Sequence, residues 1–486
     1  MKKLLTILAA AALPALGGTR RIPAVAGRFY PSNPRSLGAL VSRELAAAPV
    51  VVLPPKARIV ALLVPHAGLA YSGRIAARAF KLLRRGRFDH VVIVGTCHYK
   101  ELAGAALYPG DYGVPGAYLP FDSALAAALM KATPLIREDA AAHRKEHSIE
   151  VEVPFLRRML GGVPTTALVM NTEDLDTARA VGLALARVCR NRRVLLVASS
   201  DLSHYPSGGV ADAVDATTLA ALSSLDPAYF WLTNRFLMSR AIPDLAVTYC
   251  GEGAVTAVLT AARELGANRL RVLGRINSGD VVPERDYGHV VGYAAAVFTR
   301  EPGPVPARSA LSAAEKARLL SAARASVAAA AAGKALAAPL SRDPALNLPA
   351  AVFVTLSSGK DGALRGCIGT TRPEEGLLEA VIRRAAAAAR DPRLRPVSAA
   401  EASSLKIEIA VLSPLRVTTA ERIEPGQGVD VERDGREGVL LPSVWSRLPE
   451  KSRFLELLCS QKAGLEPECW KRGAVLRTFS VARFGD

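Results

Sequence analysis

Along the first 300 positions, short uninterrupted apolar runs alternate with stretches whose apolar residues recur at helical spacing. Residues 59–64 (IVALLV) have the length of a buried strand, and Pro65 ends the run because its ring removes a ladder donor. Residues 91–95, 166–170, 194–198, 270–276 and 290–298 read as further strands. Residues 37–48, 72–84, 123–131, 143–160, 177–190 and 254–265 read as helices, with Pro154 kinking the fourth of these. Such alternation predicts an α/β domain, a mixed or parallel sheet sandwiched by helices. Residues 301–308, opening EPGPVP, form a Pro-rich linker that separates a domain at 21–300 from another at 309–486. In the second domain an Ala-rich helix is expected at 312–336. Strands at 351–356 and 363–368 flank turn residues, and a helix at 377–390 stops at Asp391-Pro392. Residues 405–412 alternate as a half-buried strand, 429–441 read as a hairpin turning at Asp434-Gly435, and 454–462 as a final helix. Without regular β/α alternation, this smaller domain is expected to be α+β.

At 486 residues the chain is too long for one ordinary core. Half of it is apolar and 22% charged, as in globular proteins. The formal net charge of +18 raises the question of nucleic acid. Its Lys and Arg are scattered, however, with short clusters such as 190–193 and no interleaved aromatics, so solvated surface is the better reading. Residues 1–20 have the layout of a secretory leader: Lys2 and Lys3, an apolar segment at 4–13, then Ala15-Leu16-Gly17. That predicts export to the periplasm, with a cytoplasmic location as the alternative, and no other stretch reads as transmembrane. The six Cys form no CxxC pair, although in an exported chain Cys459 and Cys469 could join.

Chemistry concentrates where strand-like runs end. The runs at 59–64, 91–95 and 194–198 are followed by His66, His98 and His204, at the edge of an open sheet where ligands bind. Cys250, in TYCGEG, precedes a helix whose dipole would favour its thiolate. Imidazole and thiolate suit a divalent metal, Fe(II) first, with Cu or Zn as alternatives. Taken singly, a strand-end His is an ordinary turn residue and a lone Cys an ordinary core residue; the recurrence argues for a shared site. In SSDLSH, Asp201 is either a turn residue or the group that orients an imidazole, and His204 could move a proton. A Ser/Asp/His hydrolase is disfavoured because no GxSxG elbow is present. His143 and His147 stand four residues apart on the predicted helix, beside Glu146 and Glu150, but the HExxH order of zinc peptidases is missing. In the second domain LRGCIG brings Arg365 and Cys367 together, and Gly366 and Gly369 would permit close backbone approach. Cys367 is equally well a small core residue.

The segments RIPAVAGRFYPS, PHAGLAYSG, VGTCH, EHSIEVEVPFL, SSDLSH, YCGEGAV and VVGYAA, in this order, resemble the Memo family, whose fold resembles class III (LigB-type) extradiol dioxygenases. The resemblance implies His66, His98 and Cys250 as metal ligands and His204, with Asp201, at the proton-transfer position. His147 and Glu150 would lie near the site. Extradiol enzymes use two His and a carboxylate; a cysteine as third ligand means that catechol cleavage does not follow from the fold. The second domain resembles the Ammecr type through VFVTL, LRGCIGT, DPRLRPV, LKIEIAVLSP, GVLLPSVW and FLELLCSQKAGL. Both types occur in the AmmeMemoRadiSam grouping, which implies a radical S-adenosylmethionine partner; no CxxxCxxC cluster motif is found in this chain. The reading that follows is a metal-dependent redox enzyme acting on an unidentified small molecule or peptide. The alternative is a non-catalytic scaffold that binds a metal or a peptide in the same cleft.

Overall fold

The computed structural model describes residues 20–282, 284–305 and 311–486. The leader-like layout expected at the start of the chain and part of the linker lie outside the described residues. Two compact units account for the rest: residues up to His204 together with Tyr249–Val305, and Tyr205–Thr248 together with residues from Pro306 onward.

In the first unit the strands are β1 (Arg58–Val64), β2 (His90–Thr96), β3 (Ala105–Leu107), β4 (Tyr112–Val114), β5 (Ala117–Leu119), β6 (Ile136–Glu138), β7 (Thr165–Met170), β8 (Val194–Ser199), β9 (Arg269–Asn277) and β10 (Gly292–Arg300). β4 and β5 pair as a hairpin, and the others form one mixed sheet in the order β6-β3-β7-β2-β8-β1-β10-β9. The four central strands β7, β2, β8 and β1 run parallel, which is why the apolar runs of β2, β7 and β8 are almost wholly buried. β10 and β9 close one side antiparallel. Helices form two mutually packed groups against the sheet: Pro34–Ala47, Leu69–Phe80 and Val153–Leu160 in one, Ser123–Ala132, Leu175–Cys189 and Glu252–Glu264 in the other. This is the α/β sandwich that the alternation predicts. Because the central strands are parallel, the residues after β1, β2 and β8 emerge at one edge.

One predicted helix does not form. Residues 143–160 divide into a helical turn ending at His143, an irregular stretch, a short 3-10 turn (Glu150–Glu152) and the helix Val153–Leu160. Glu146 turns its carboxylate back onto the backbone N–H groups of His147 and Ser148, at 2.7 and 2.8 Å, a local bond that competes with the helical ladder. Pro154, without an N–H, opens the next helix instead of kinking a longer one.

The second unit holds two four-stranded sheets with separate apolar cores. Ala351–Ser358 pairs antiparallel with Leu364–Gly369 and with Leu405–Leu412, as the pattern predicts. Gly428–Arg433 and Arg436–Leu440 form the expected hairpin, with positive φ at both Asp434 (53°) and Gly435 (75°). The Ala-rich helix spans Ala313–Ala331 and is closed at its start by a Ser312/Glu315 capping box. Two helices unassigned from the sequence, Gly208–Leu222 and Pro227–Ser239, also belong to this unit. Cys459 and Cys469 are joined by a disulfide and fully buried.

Candidate metal centre

β1 and β2 each end two residues before an imidazole, so His66 and His98 arrive at the same edge. His147 joins them from the irregular stretch created by Glu146. One ring nitrogen from each of His66, His98 and His147 can lie within 4.8 Å of the other two, the spacing of a single ion's ligands. Ring centroids are 5.2 Å apart for His66 and His98, and 4.6 Å for the stacked His98 and His147. Cys250 lies beside one of the three: its Sγ stands 3.1 Å from His66 Nε2. It is not among the side chains whose donor atoms all lie within 4.8 Å of one another, so the clustered trio is His66, His98 and His147 where the sequence pointed to His66, His98 and Cys250. Gly251 allows this approach, since a Cβ there would stand 2.7 Å from Ser200 Cβ. Exposure rises from His66 (1%) to the His98 side chain (29%), so the site opens on the His98 side.

Hydrogen bonds fix the tautomers. His98 Nδ1 lies 3.0 Å from Glu146 Oε1, and His98 N donates to Glu146 Oε2 at 2.7 Å. The Glu146 carboxylate therefore gathers an imidazole N–H and three backbone N–H groups, leaving His98 Nε2 with a free lone pair. Burial opposes its ionisation, but the bond from His98 and the surrounding imidazoles overcome that and hold its carboxyl well below the usual range.

His66 is oriented differently. Its Nδ1 lies 3.0 Å from Ser199 Oγ, which donates its single hydrogen to Ser148 O at 2.5 Å and stands 3.0 Å from Glu152 Oε1. With that hydrogen committed to Ser148, Ser199 can only accept from the other two, so His66 Nδ1 and Glu152 carry the protons. Burial pushes the Glu152 carboxyl well above its usual range, consistent with a neutral acid. His66 Nε2 then faces Cys250 with its lone pair. Burial and the neighbouring imidazoles hold His66 well below 6.5, and burial, with the His98 imidazole, brings His147 down to about 4 against the pull of Glu146. These rings are ready as neutral ligands at neutral pH. His147 Nδ1 is buried without a hydrogen-bond partner, 3.4 Å from Glu146 Oε1.

The remaining sequence candidates fall as follows. Asp201 Oδ1 accepts from the backbone N–H of His66 and of Ala67, at 2.7 and 3.2 Å, so it holds the turn that carries the imidazole and not the ring. Burial pushes its carboxyl up to about 7. His204 Nδ1 bonds Leu202 O at 3.1 Å, and burial brings its pKa down to about 4. Cys250 does precede a helix, but burial outweighs the dipole and pushes its thiol up to about 12. Glu150 anchors the N-terminal segment: it pairs with buried Arg21, accepts from the N–H groups of Ala24 and Val25, and bonds the Tyr30 hydroxyl. His143 is a core residue, its Nε2 bonded to Ala106 O at 3.0 Å. In the second unit Arg365 pairs with Glu401, while half-buried Cys367 receives a bond from Thr355 Oγ1 and donates its N–H to Asp391. Gly366 and Gly369 are as tightly approached as expected: Cβ atoms there would stand 2.0 Å from Ala388 O and 2.2 Å from Phe353.

The three clustered imidazoles, with an orphaned ring nitrogen among them and the Cys250 sulfur against His66, fit a divalent metal. A family profile described as Memo-like protein matches residues 21–297, and one described as AMMECR1 matches residues 320–484. MEMO1 family proteins of Thermoplasma volcanium and Methanopyrus kandleri are 33% identical over 283 residues and 34% identical over 294; each match covers 58% of this chain and 99% of the relative. A solved structure of an uncharacterised protein from Pyrococcus horikoshii, 32% identical, covers 35% of this chain and 90% of its own, with a TM-score of 0.32. The chain belongs to the Memo family, in a form that carries an AMMECR1 domain behind the Memo segment.

Proposed function

We propose that the chain is a metal-dependent oxidoreductase whose ion, Fe(II) ahead of Cu or Zn, is held by His66, His98 and Cys250, with His147 as a further ligand. The observation that carries this reading is the convergence of three ring nitrogens from separate elements, with the Cys250 sulfur 3.1 Å from His66 Nε2. When bound, such an ion would supply Lewis acidity and, for Fe or Cu, one-electron chemistry. Glu146 and Ser199 present the lone pairs of His98 and His66 to one point. Asp201 keeps the β1 turn in place. His204, whose Nδ1 bonds Leu202 O, is the proposed proton-transfer group. A sulfur in place of a carboxylate makes the donor set softer than that of extradiol enzymes, so the substrate is taken as an unidentified small molecule or peptide outside the catechols. A radical S-adenosylmethionine protein is the proposed partner. The buried Cys459–Cys469 disulfide, together with the leader-like layout of residues 1–20, supports export.

Elemental analysis of purified wild-type, His66→Ala and Cys250→Ser proteins tests the reading. One equivalent of metal in the wild type and its loss from both variants is expected; full occupancy in both variants overturns it. A partner capture that survives chelation, with no turnover by the loaded protein, would favour the scaffold instead.

A further inference from the structure

Within the first unit, the helices Pro34–Ala47 and Val153–Leu160 and the β4–β5 hairpin pack on one another. Between them they leave a recess of about 290 Å³. Its floor is apolar and includes buried Leu37, Val41, Val114 and Pro154. Arg85, Arg157 and Arg158 also line it, and no Asp or Glu does. Arg85 and Arg158 are exposed and Arg157 is half-buried, so the charges stand at the rim. None of the lining residues belongs to the candidate metal centre.

Two features separate this recess from ordinary surface. Other arginines of the chain find partners: Arg21 pairs with Glu150, and Arg240 with Glu379. None of the three at the recess has a hydrogen-bond acceptor or a carboxylate partner among the described residues, although Arg157 lies 5.8 Å from the Tyr118 ring. Arg157 and Arg158 occupy the last turn of their helix, where the dipole favours a cation. Arg85 comes from the turn before β2 and has no such reason to be there. Like charges gathered round an apolar hollow repel one another, and an anion relieves them.

The second feature is Gly38, inside the helix Pro34–Ala47, where alanine would be the better helix former. A Cβ at Gly38 would meet nothing within 4 Å, so packing does not require the glycine. Gly38 lines the recess, and its missing side chain keeps the space open. The hairpin wall is held in place: Gly116, at φ 74°, lies so close to the helix start that a Cβ would stand 2.7 Å from Pro34 Cβ. The hollow is thus preformed.

We infer that this recess binds a small amphipathic anion, with a short aliphatic tail on the apolar floor and a carboxylate or phosphate head at Arg85, Arg157 and Arg158. Its volume is at the low end for small-molecule pockets, and guanidinium groups take either head in forked pairs. An inorganic anion would leave the floor unused, and a neutral alkyl chain would leave the arginines unpaired.

Titration calorimetry on the full chain tests this, with EDTA present so that no metal-bound carboxylate is read. The probes are octanoate and octyl phosphate, with 1-octanol and acetate as controls. One equivalent of octanoate or octyl phosphate is expected to bind, and both controls at least about tenfold more weakly. Whichever amphiphile binds more tightly identifies the head group. Added salt should weaken binding. Arg157→Ala should cost about tenfold in affinity. Gly38→Leu, which fills the recess, should abolish binding while the melting temperature stays at the wild-type value. Arg158→Glu alters an exposed side chain, so it tests the head-group site without disturbing the packing, and it too should abolish binding. No saturable binding of either amphiphile overturns the inference, as does 1-octanol binding as tightly as octanoate. Unchanged affinity in both Gly38→Leu and Arg158→Glu would place the ligand elsewhere and overturn the site.

Discussion

Ser199 and Glu146 do for the two proposed ligands His66 and His98 what the rings cannot do for themselves: each sets which ring nitrogen donates its hydrogen away from the cluster. Removing such a supporting group usually weakens metal binding by about 10- to 100-fold. Ser199→Ala and Glu146→Gln are each expected to weaken Co(II) binding by that order in a competitive titration, and Ser199→Thr, which keeps the hydroxyl, should recover most of it. Equal affinities in all four proteins would contradict the tautomer assignment. His143 offers a test of a different kind. Burial, partly offset by its bond to Ala106 O, lowers its pKa to about 4 in the folded protein, against 6.5 when exposed. The unfolded chain therefore takes up the proton first, so this contribution to stability is complete above pH 6.5 and is lost as the pH falls toward 4. It amounts to about 3 kcal/mol at most. Urea titrations from pH 7 to 4.5 should show a shallower fall for His143→Gln than for wild type, and parallel curves would refute the assignment. His66 and His98 were legible in the sequence because a buried strand that ends on an imidazole marks the sheet edge. Glu146, Glu152 and Ser199 were not, since their roles arise only when distant elements fold together.

Elements turn on where glycine and proline fall. The helices Leu175–Cys189 and Glu252–Glu264 meet at Gly182, where a Cβ would stand 2.5 Å from Ala257 O and 2.6 Å from Thr260 Cβ. Both obstacles are firmly held, so Gly182→Ala is expected to cost about 1–3 kcal/mol, seen as a lowered melting temperature. An unchanged or raised value would mean that the two helices can part without penalty. The central strands were readable because both of their faces are covered, which makes them continuous apolar runs. The pair of helices at 208–239 left a weaker trace. In Gly208–Leu222 buried positions run round the helix, including Asp215, Thr217 and Thr218, so no apolar stripe stands out. The false helix over 143–160 has the opposite origin: its spacing is helical, but the turn at Glu146 serves the site.

At the scale of the molecule, the family segments and the compact units do not coincide, because residues 205–248 belong to the Memo segment by sequence and to the C-terminal unit by packing. The linker was legible from its prolines; this exchange of a segment was not, since nothing local marks it. The C-terminal unit also depends on a staple. Closing the short loop between Cys459 and Cys469 is worth about 2–3 kcal/mol. Reduction should lower the unfolding midpoint of that unit and leave the other transition in place, whereas a reductant-insensitive melting curve would show that the bond is dispensable. No helix among the described residues is long and apolar enough to cross a membrane. The central claim is that imidazoles from β1, β2 and the Glu146 turn share one ion with Cys250. X-ray absorption at the edge of the bound metal tests it most directly. The account predicts one sulfur scatterer near 2.3 Å alongside imidazole nitrogens, with the sulfur lost in Cys250→Ser; an all-nitrogen-and-oxygen shell in the wild type would contradict it.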